Sequence, residues 1–231
     1  MLKILINVKA FIFDLDDTLY DCSGTLVLRG RGKVASKIAN LINCSEEDAY
    51  LLQFKIEEEY SAKVNIYEKI VQLYNLPNKY AEELLEEFVN VKIDGITLFP
   101  DVIDTLIKLR TYGYRLILVT SGVNQIQRKK IELLGLNNDY FDYTLITDRR
   151  NVVAKRGCFK DILQKLSLKP EEIACVGDKI DDELTAAKTL GMITVLFEHG
   201  RHYKSYLQEK DKYSRPDFSI RHIKELLQYL L

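Results

Sequence analysis

Apolar and polar residues alternate in two different ways along this chain. Over about Asn7 to Leu19, and again from about Pro100 onward, short β-prone apolar runs alternate with amphipathic segments. The runs are VKAFIFDL (Val8 to Leu15), YRLILVT (Tyr114 to Thr120), YTLIT (Tyr143 to Thr147), EIACVGD (Glu172 to Asp178) and MITVLF (Met192 to Phe197). Between them, helical spacing predicts helices over Val102 to Thr111, Asn124 to Leu134, Cys158 to Leu166 and Glu183 to Leu190. Several of these end in Gly (Gly113, Gly135, Gly191), where a helix C-terminus needs a residue that tolerates the left-handed conformation. Strands that alternate with helices imply βαβ units. The expected fold class is therefore α/β, with a parallel sheet covered on both faces.

The stretch from Tyr20 to Leu98 contains no convincing strand. It predicts helices over about Gly32 to Ile42, Glu46 to Ala62, Ile66 to Tyr74 and Lys79 to Val91. Ser45-Glu46-Glu47-Asp48 is a capping-box pattern with Asp48 at its last position, and Pro77-Asn78 marks a turn. A helical insert directly after the first strand of an α/β sheet sits above the strand ends, where such sheets bind ligands. A lid is the expectation. Arg29, Arg31 and Lys33 read as solvated loop charges, and Tyr50, Tyr60, Tyr67 and Tyr74 as packing between helices.

Composition narrows the classes. At 231 residues the chain can hold one large domain, or a domain with an insert. A net charge of -1 offers no basic excess for a nucleic-acid surface. The longest apolar runs are far too short to span a bilayer, and MLKILINVKAFIF, which carries Lys3 and Lys9, reads as core rather than signal peptide. The four cysteines, Cys22, Cys44, Cys158 and Cys175, show no CxxC spacing, and Cys175 lies inside an apolar run. Reduced thiols in a cytoplasmic setting are the simplest account.

The chemistry concentrates at strand ends. The run Ala10 to Phe13 stops in Asp14, Asp16 and Asp17, followed by Thr18. On an extended chain, two carboxylates two residues apart point the same way. Crowded acids repel one another and favour a bound cation. Asp14 is thus a candidate nucleophile and metal ligand, and Asp16 a candidate proton carrier. Thr120-Ser121-Gly122 leaves hydroxyl and backbone donors at the entry to the next helix, a suitable place for phosphate oxygens. Lys155 falls in a polar loop, Asp148 to Gly157, and Asp178 ends a strand, with Asp181, Asp182 and Glu183 following. Such acids can bind a hard cation or cap a helix. Arg128-Lys129-Lys130 reads as a solvated helix face, and His199 and His202 lie beyond a strand end without an evident metal partner.

The order DLDDT, TSG, Lys, GDKIDD, each at the end of a separate apolar run, resembles the haloacid dehalogenase superfamily of phosphohydrolases over nearly the whole chain. Asp14 to Tyr20 matches the family's DxDxT motif. Phe141-Asp142, Pro170-Glu171-Glu172 and Gly191-Met192 fall where family members carry similar residues. The resemblance implies a Rossmann-like core from residues 1–19 and 99–231, with strand one central between strands two and four, and an all-helical cap from residues 20–98. It implies Mg2+ as cofactor, held by Asp14, the backbone carbonyl of Asp16, Asp178 and Asp182. Asp14 would form an aspartyl-phosphate and Asp16 would act as acid and then base. Thr120 and Ser121 would bind the phosphoryl group, and Lys155 would neutralise it. An acid at position 16 is lacking in the superfamily's dehalogenases, so the implied reaction is hydrolysis of a small phosphorylated metabolite, by a monomer or homodimer.

The pattern departs from the family in three places. Ser121 stands where Asn is frequent. Arg156 follows Lys155 where Pro is frequent, which leaves Lys160 as an alternative. The second acid of the last motif is Asp182 by spacing but Glu183 by alignment back from Gly191-Met192, with Asp181 also open. A phosphoryl transferase of sugar-phosphate mutase type and an inactive binding module are the other classes that this fold would allow.

Overall fold

The apolar run before the three acids becomes β1 (Ala10–Phe13), buried at every position. The computed structural model describes residues 7–62, 64–136, 138–148 and 154–230. After β1 come α1 (Leu28–Ile42), α2 (Glu46–Tyr60), α3 (Ile66–Leu73) and α4 (Lys79–Val89). The alternation then runs α5 (Val102–Thr111), β2 (Arg115–Ser121), α6 (Asn124–Leu133), β3 (Tyr143–Thr147), α7 (Ala154–Leu166) and β4 (Ile173–Gly177). It ends in α8 (Thr185–Thr189), β5 (Ile193–Phe197), α9 (Gly200–Glu209) and β6 (Phe218–Ile220).

The strands form one sheet in the order β3-β2-β1-β4-β5-β6, and every pairing is parallel. β1 lies between β2 and β4. Phe13 is in register with Leu118 on one side and with Val176 on the other. Asp14 and Asp178, just beyond β1 and β4, and Thr120, near the end of β2, therefore lie at the C-terminal ends of neighbouring strands, where α/β sheets commonly bind ligands. Ile12, Val119, Cys175, Phe159 and Leu184 belong to one buried cluster, and strands covered on both faces are what an unbroken apolar run encodes.

Two compact units are present: Met1–Asp21 with Asp94–Leu231, and Cys22–Ile93. The sequence boundaries at Leu19/Tyr20 and Leu98/Phe99 lie a few residues outside the helical unit. Tyr20 bridges Leu98, and the Phe99 N–H donates to the Leu19 carbonyl at 2.9 Å, so both crossing segments stay with the sheet. The helical unit has its own core, which includes Val34, Ile38, Ile56, Ile70 and Leu84. Ser45 Oγ accepts from the Asp48 N–H at 3.0 Å and caps α2. Gly30 permits close packing of α1 on α4, because a Cβ there would run into the Phe88 ring.

Several expectations are corrected. Helix α1 begins at Leu28, so Arg29, Arg31 and Lys33 are helical rather than loop residues. Arg31 is buried, pairs with Glu57 at 2.8 Å and lies over the Phe54 ring. Arg29 and Lys33 bond the carbonyls of Lys92 and Asn90 just after α4. Helix α7 starts at Ala154, which puts Lys155 on a helix. Most of the loop expected before it, residues 149–153, lies outside the described residues, as do residues 1–6 of the apolar N-terminal stretch. The helix expected over Glu183 to Leu190 is instead a π-helical turn, Ile180–Leu184, followed by the short α8.

Candidate active site

Asp14 leaves β1 buried, and its N–H still donates to the Val176 carbonyl at 2.9 Å, so the sheet fixes the carboxylate from below. Lys155, buried near the start of α7, donates to Asp14 Oδ1 at 3.0 Å and to Glu183 Oε2 at 2.7 Å. Carboxylate oxygens of Asp14, Asp178 and Glu183 lie within 4.8 Å of one another, all three residues buried. Glu183 Oε1 also accepts from the Lys179 N–H at 2.8 Å. Gly177 leaves room for this, since a Cβ there would collide with the Glu183 carboxylate.

Neither carboxylate oxygen of Asp178 has a hydrogen-bond partner among the described residues, although both are buried. A buried carboxylate left in this way is costly unless a cation completes it. Three buried acids crowd together, the Lys155 ammonium pairs with two of them, Asp14 and Glu183, and the donors are all hard oxygens, so the residues present fit a divalent cation. Burial, opposed by Lys155 and reinforced by Glu183, pushes the Asp14 carboxyl up to about 7. Burial, and then the Glu183 charge, pushes Asp178 well above the usual carboxylate range. Burial works against the charge of Lys155, but Asp14, Glu183 and Asp182 outweigh it and hold the ammonium firmly protonated.

These directions set the pH response of the metal-free protein. A carboxyl that titrates higher when folded holds more protons in the folded state, so stability falls as pH rises between the unfolded and folded values. For Asp14 that window runs from 3.8 to about 7. A cation competes with those protons for the ionised carboxylates. In EDTA, the unfolding midpoint is expected to carry a falling contribution from this site between about pH 5 and pH 8, and added Mg2+ should raise the midpoint more at about pH 8 than at about pH 5. Equal increments at the two pH values would separate metal binding from these acids.

Asp16 lies outside the acidic cluster. Lys130 Nζ donates to both its oxygens, at 2.8 and 3.0 Å, Gln127 Nε2 donates to Oδ2 at 3.1 Å, and the Tyr20 hydroxyl donates to Oδ1. Burial opposes ionisation here, but the Lys130 charge and these donors outweigh it and hold the carboxyl well below its usual range. Thr120 is buried, and its Oγ1 accepts from Gln127 Nε2 at 2.6 Å. Ser121 is turned differently from the expectation: its hydroxyl shares a hydrogen bond with Thr147 on β3 at 2.7 Å. The hydroxyl is thus engaged within the sheet.

The acids of the last motif are turned by a π-helical segment. The π-turn adds one residue per turn, marked by the Leu184 N–H donating to the Lys179 carbonyl five residues back. It directs Glu183 inward. Asp182 is part-exposed and reaches Lys155 at 3.3 Å, and Asp181 is exposed. The cluster therefore contains Glu183 rather than Asp182. Lys160 is exposed, whereas Lys155 is buried and pairs with Asp14 at 3.0 Å. His199 has an acidic partner after all, since its Nε2 lies 3.0 Å from Asp21 Oδ1, in a group with Asp17.

A family model of haloacid dehalogenase-like hydrolases matches residues 8–191. The chain belongs to this family. A glyceraldehyde 3-phosphate phosphatase of Methanocaldococcus jannaschii is 33% identical over 227 residues, 95% of this chain and 96% of that one. Another, of Methanopyrus kandleri, is 30% identical over 226 residues, 95% and 96% of the two chains. The crystal structure of a HAD phosphatase from Thermococcus onnurineus has a TM-score of 0.62 at 29% identity, over 96% of this chain and 98% of that one. By family and by relatives matched along nearly their whole length, this haloacid dehalogenase-like hydrolase is a phosphoric monoester hydrolase.

Sequence reasoning missed Gln127 and Lys130 in this haloacid dehalogenase-like hydrolase. The buried positions of α6 and its end are Gln127, Lys130 and Leu134, three and four residues apart on one face. That spacing was the available signal. It was hidden because two of the three inward positions are polar and stand beside the exposed Arg128 and Lys129.

Proposed function

We propose that the protein is a Mg2+-dependent phosphatase that cleaves a small phosphate monoester through an aspartyl-phosphate on Asp14. The observation that carries this is the buried set of Asp14, Asp178 and Glu183 against Lys155, with the Asp178 oxygens lacking any partner. Asp14, Asp178 and Glu183, with the backbone carbonyl of Asp16, would hold the cation. When bound, it supplies positive charge that draws the anionic ester to an anionic nucleophile and stabilises the transferring phosphoryl group.

The chain's own residues divide the remaining work. An Asp14 oxygen attacks phosphorus, and the bond to the leaving oxygen breaks as that oxygen takes a proton from Asp16, which must first gain that proton as one of its hydrogen-bond donors yields. Thr120 and the backbone around Ser121 and Gly122 hold phosphoryl oxygens, and Lys155 balances their charge. Asp16 then takes a proton from the water that attacks the phosphoenzyme, which releases phosphate and restores Asp14. The helical unit, inserted after the first strand, is proposed as the cap that selects the substrate. A cytoplasmic location and a monomer or homodimer complete the proposal.

The similarity to glyceraldehyde 3-phosphate phosphatases puts triose phosphates first among substrates. The test is release of inorganic phosphate from glyceraldehyde 3-phosphate, phosphoglycolate, a hexose phosphate and 4-nitrophenyl phosphate, with Mg2+ and with EDTA. Turnover of at least one ester, abolished by EDTA and restored by Mg2+, is expected. Turnover indifferent to EDTA would remove the metal from the mechanism, and no turnover of any ester would overturn the substrate class.

A further inference from the structure

We propose that Gln127 and Lys130 are positioning residues, which join the proton carrier Asp16 and the phosphate-holding Thr120 into one hydrogen-bonded unit through a single face of α6. The proposal rests on the phosphatase reading above, and it gives a role to two side chains outside the motifs on which that reading stands.

Burying a lysine and a glutamine is unfavourable unless both are fully partnered. Here both are buried while Arg128 and Lys129, their neighbours in sequence, remain in solvent. A helix that needed only solubility at this face would keep Lys130 outside as well. Instead, positions three apart on α6 aim two donors at the same carboxylate. The Gly122 backbone accommodates this arrangement closely, because a Cβ there would lie 3.0 Å from Gln127 Cγ.

The donors fix each oxygen of Asp16 separately. Oδ1 accepts from Tyr20 and Lys130, and Oδ2 accepts from Gln127 and Lys130. A carboxylate offers about four lone-pair positions, and these four contacts take them up. Rotation of the carboxylate about its stem would break several charge-assisted bonds at once. Passing a proton to or from Asp16 therefore requires one donor to yield while the others keep the group in place.

Gln127 acts on Thr120 as well. Its amide nitrogen has only hydrogens to offer, so Thr120 Oγ1 is the acceptor in their 2.6 Å contact. Among the described residues, this is the bond that the Thr120 side chain makes. Its own O–H is left to donate elsewhere, as a phosphoryl oxygen requires. One amide thus sets the hydroxyl as a donor and holds the acid–base carboxylate beside it.

The test compares kcat/KM for an alkyl ester, glyceraldehyde 3-phosphate, with that for 4-nitrophenyl phosphate. This parameter follows the steps through formation of the phosphoenzyme. An alkoxide needs a well-placed acid to leave, whereas 4-nitrophenolate leaves without one. Lys130→Met and Gln127→Leu are each expected to lower kcat/KM for the alkyl ester on the order of 10²-fold, and for the aryl ester less than about tenfold. Lys130→Arg should recover part of the alkyl loss. Equal losses on both esters, or unchanged alkyl turnover, would overturn the proposal. Should Lys130→Met fail to fold, Gln127→Leu removes only a neutral donor and decides alone. Should another of the alkyl esters named above be the one cleaved, it takes the place of glyceraldehyde 3-phosphate; wild-type protein that cleaves none of the four would instead bring down the phosphatase reading, and this inference with it.

Discussion

Asp14→Asn is expected to lower kcat by on the order of 10⁵-fold or more, since loss of a covalent nucleophile leaves only binding and electrostatics to accelerate the reaction. The substitution keeps the shape of the side chain. It also keeps an oxygen that can accept from Lys155, which now lies 3.0 Å from Asp14 Oδ1. The fold should therefore persist. Because burial already pushes the Asp14 carboxyl up to about 7, a neutral amide relieves a charge that the metal-free site holds with difficulty. Metal-free Asp14→Asn should accordingly match or exceed the wild type in unfolding temperature at about pH 8, while it gains less from Mg2+. Acid-quenched turnover supplies the direct readout: wild type should yield an acyl phosphate on the protein, and the variant none. A variant with more than about a hundredth of wild-type kcat would exclude Asp14 as the attacking group.

Lys155→Met is expected to damage both stability and turnover. The ammonium is buried and touches Asp14, Asp182 and Glu183 at 3.0, 3.3 and 2.7 Å. Two of these acids are themselves buried, so the substitution strands negative charge in the interior, at a cost of about 3–5 kcal/mol. For a chain of this size that corresponds to a fall of roughly 10 °C in the unfolding midpoint. The sign with pH follows from the same contacts. Lys155 stays protonated throughout the neutral range, whereas the stranded acids can take up protons only as pH falls. The penalty should therefore be larger at about pH 8 than at about pH 5, and Mg2+ should offset part of it at the higher pH. A loss below about 1 kcal/mol at both pH values would show that the ammonium is not what balances the acids. Turnover should fall by at least about 10³-fold, because among the described residues no other cation bonds Asp14.

The legible part of this molecule was the part in which one physical demand dominates. β1, β2 and β4 are buried on both faces, so their sequences admit little but apolar residues, and their tips are the places where charge appears. The tips marked Asp14, Thr120 and Asp178 as candidates, and the family resemblance supplied the strand order that brings them together. β6 escaped notice because it is three residues long and half-buried, with nothing in Phe218–Ile220 to distinguish it from a loop. Glu183 competed with Asp182 because spacing in sequence assumes a regular helical turn, and the π-turn adds a residue there. Lys130 and Arg31 read as solvated charges because the partners that make their burial tolerable, Asp16 and Glu57, are 114 and 26 residues away along the chain. Side-chain identity says that a cation is usually outside; only the fold supplies the carboxylate that brings it in.

The bridge between Tyr20 and Leu98 has an evolutionary consequence. It makes the point of departure from the sheet and the point of return immediate neighbours, so the helical insert hangs from a closed doorway in the backbone. Closing that doorway costs the chain little more for a long insert than for a short one, because loop-closure entropy grows only with the logarithm of length. The insert also brings its own apolar core and its own buried ion pair. Selection is thus free to lengthen, shorten or exchange the insert without disturbing the strands that hold the buried carboxylates.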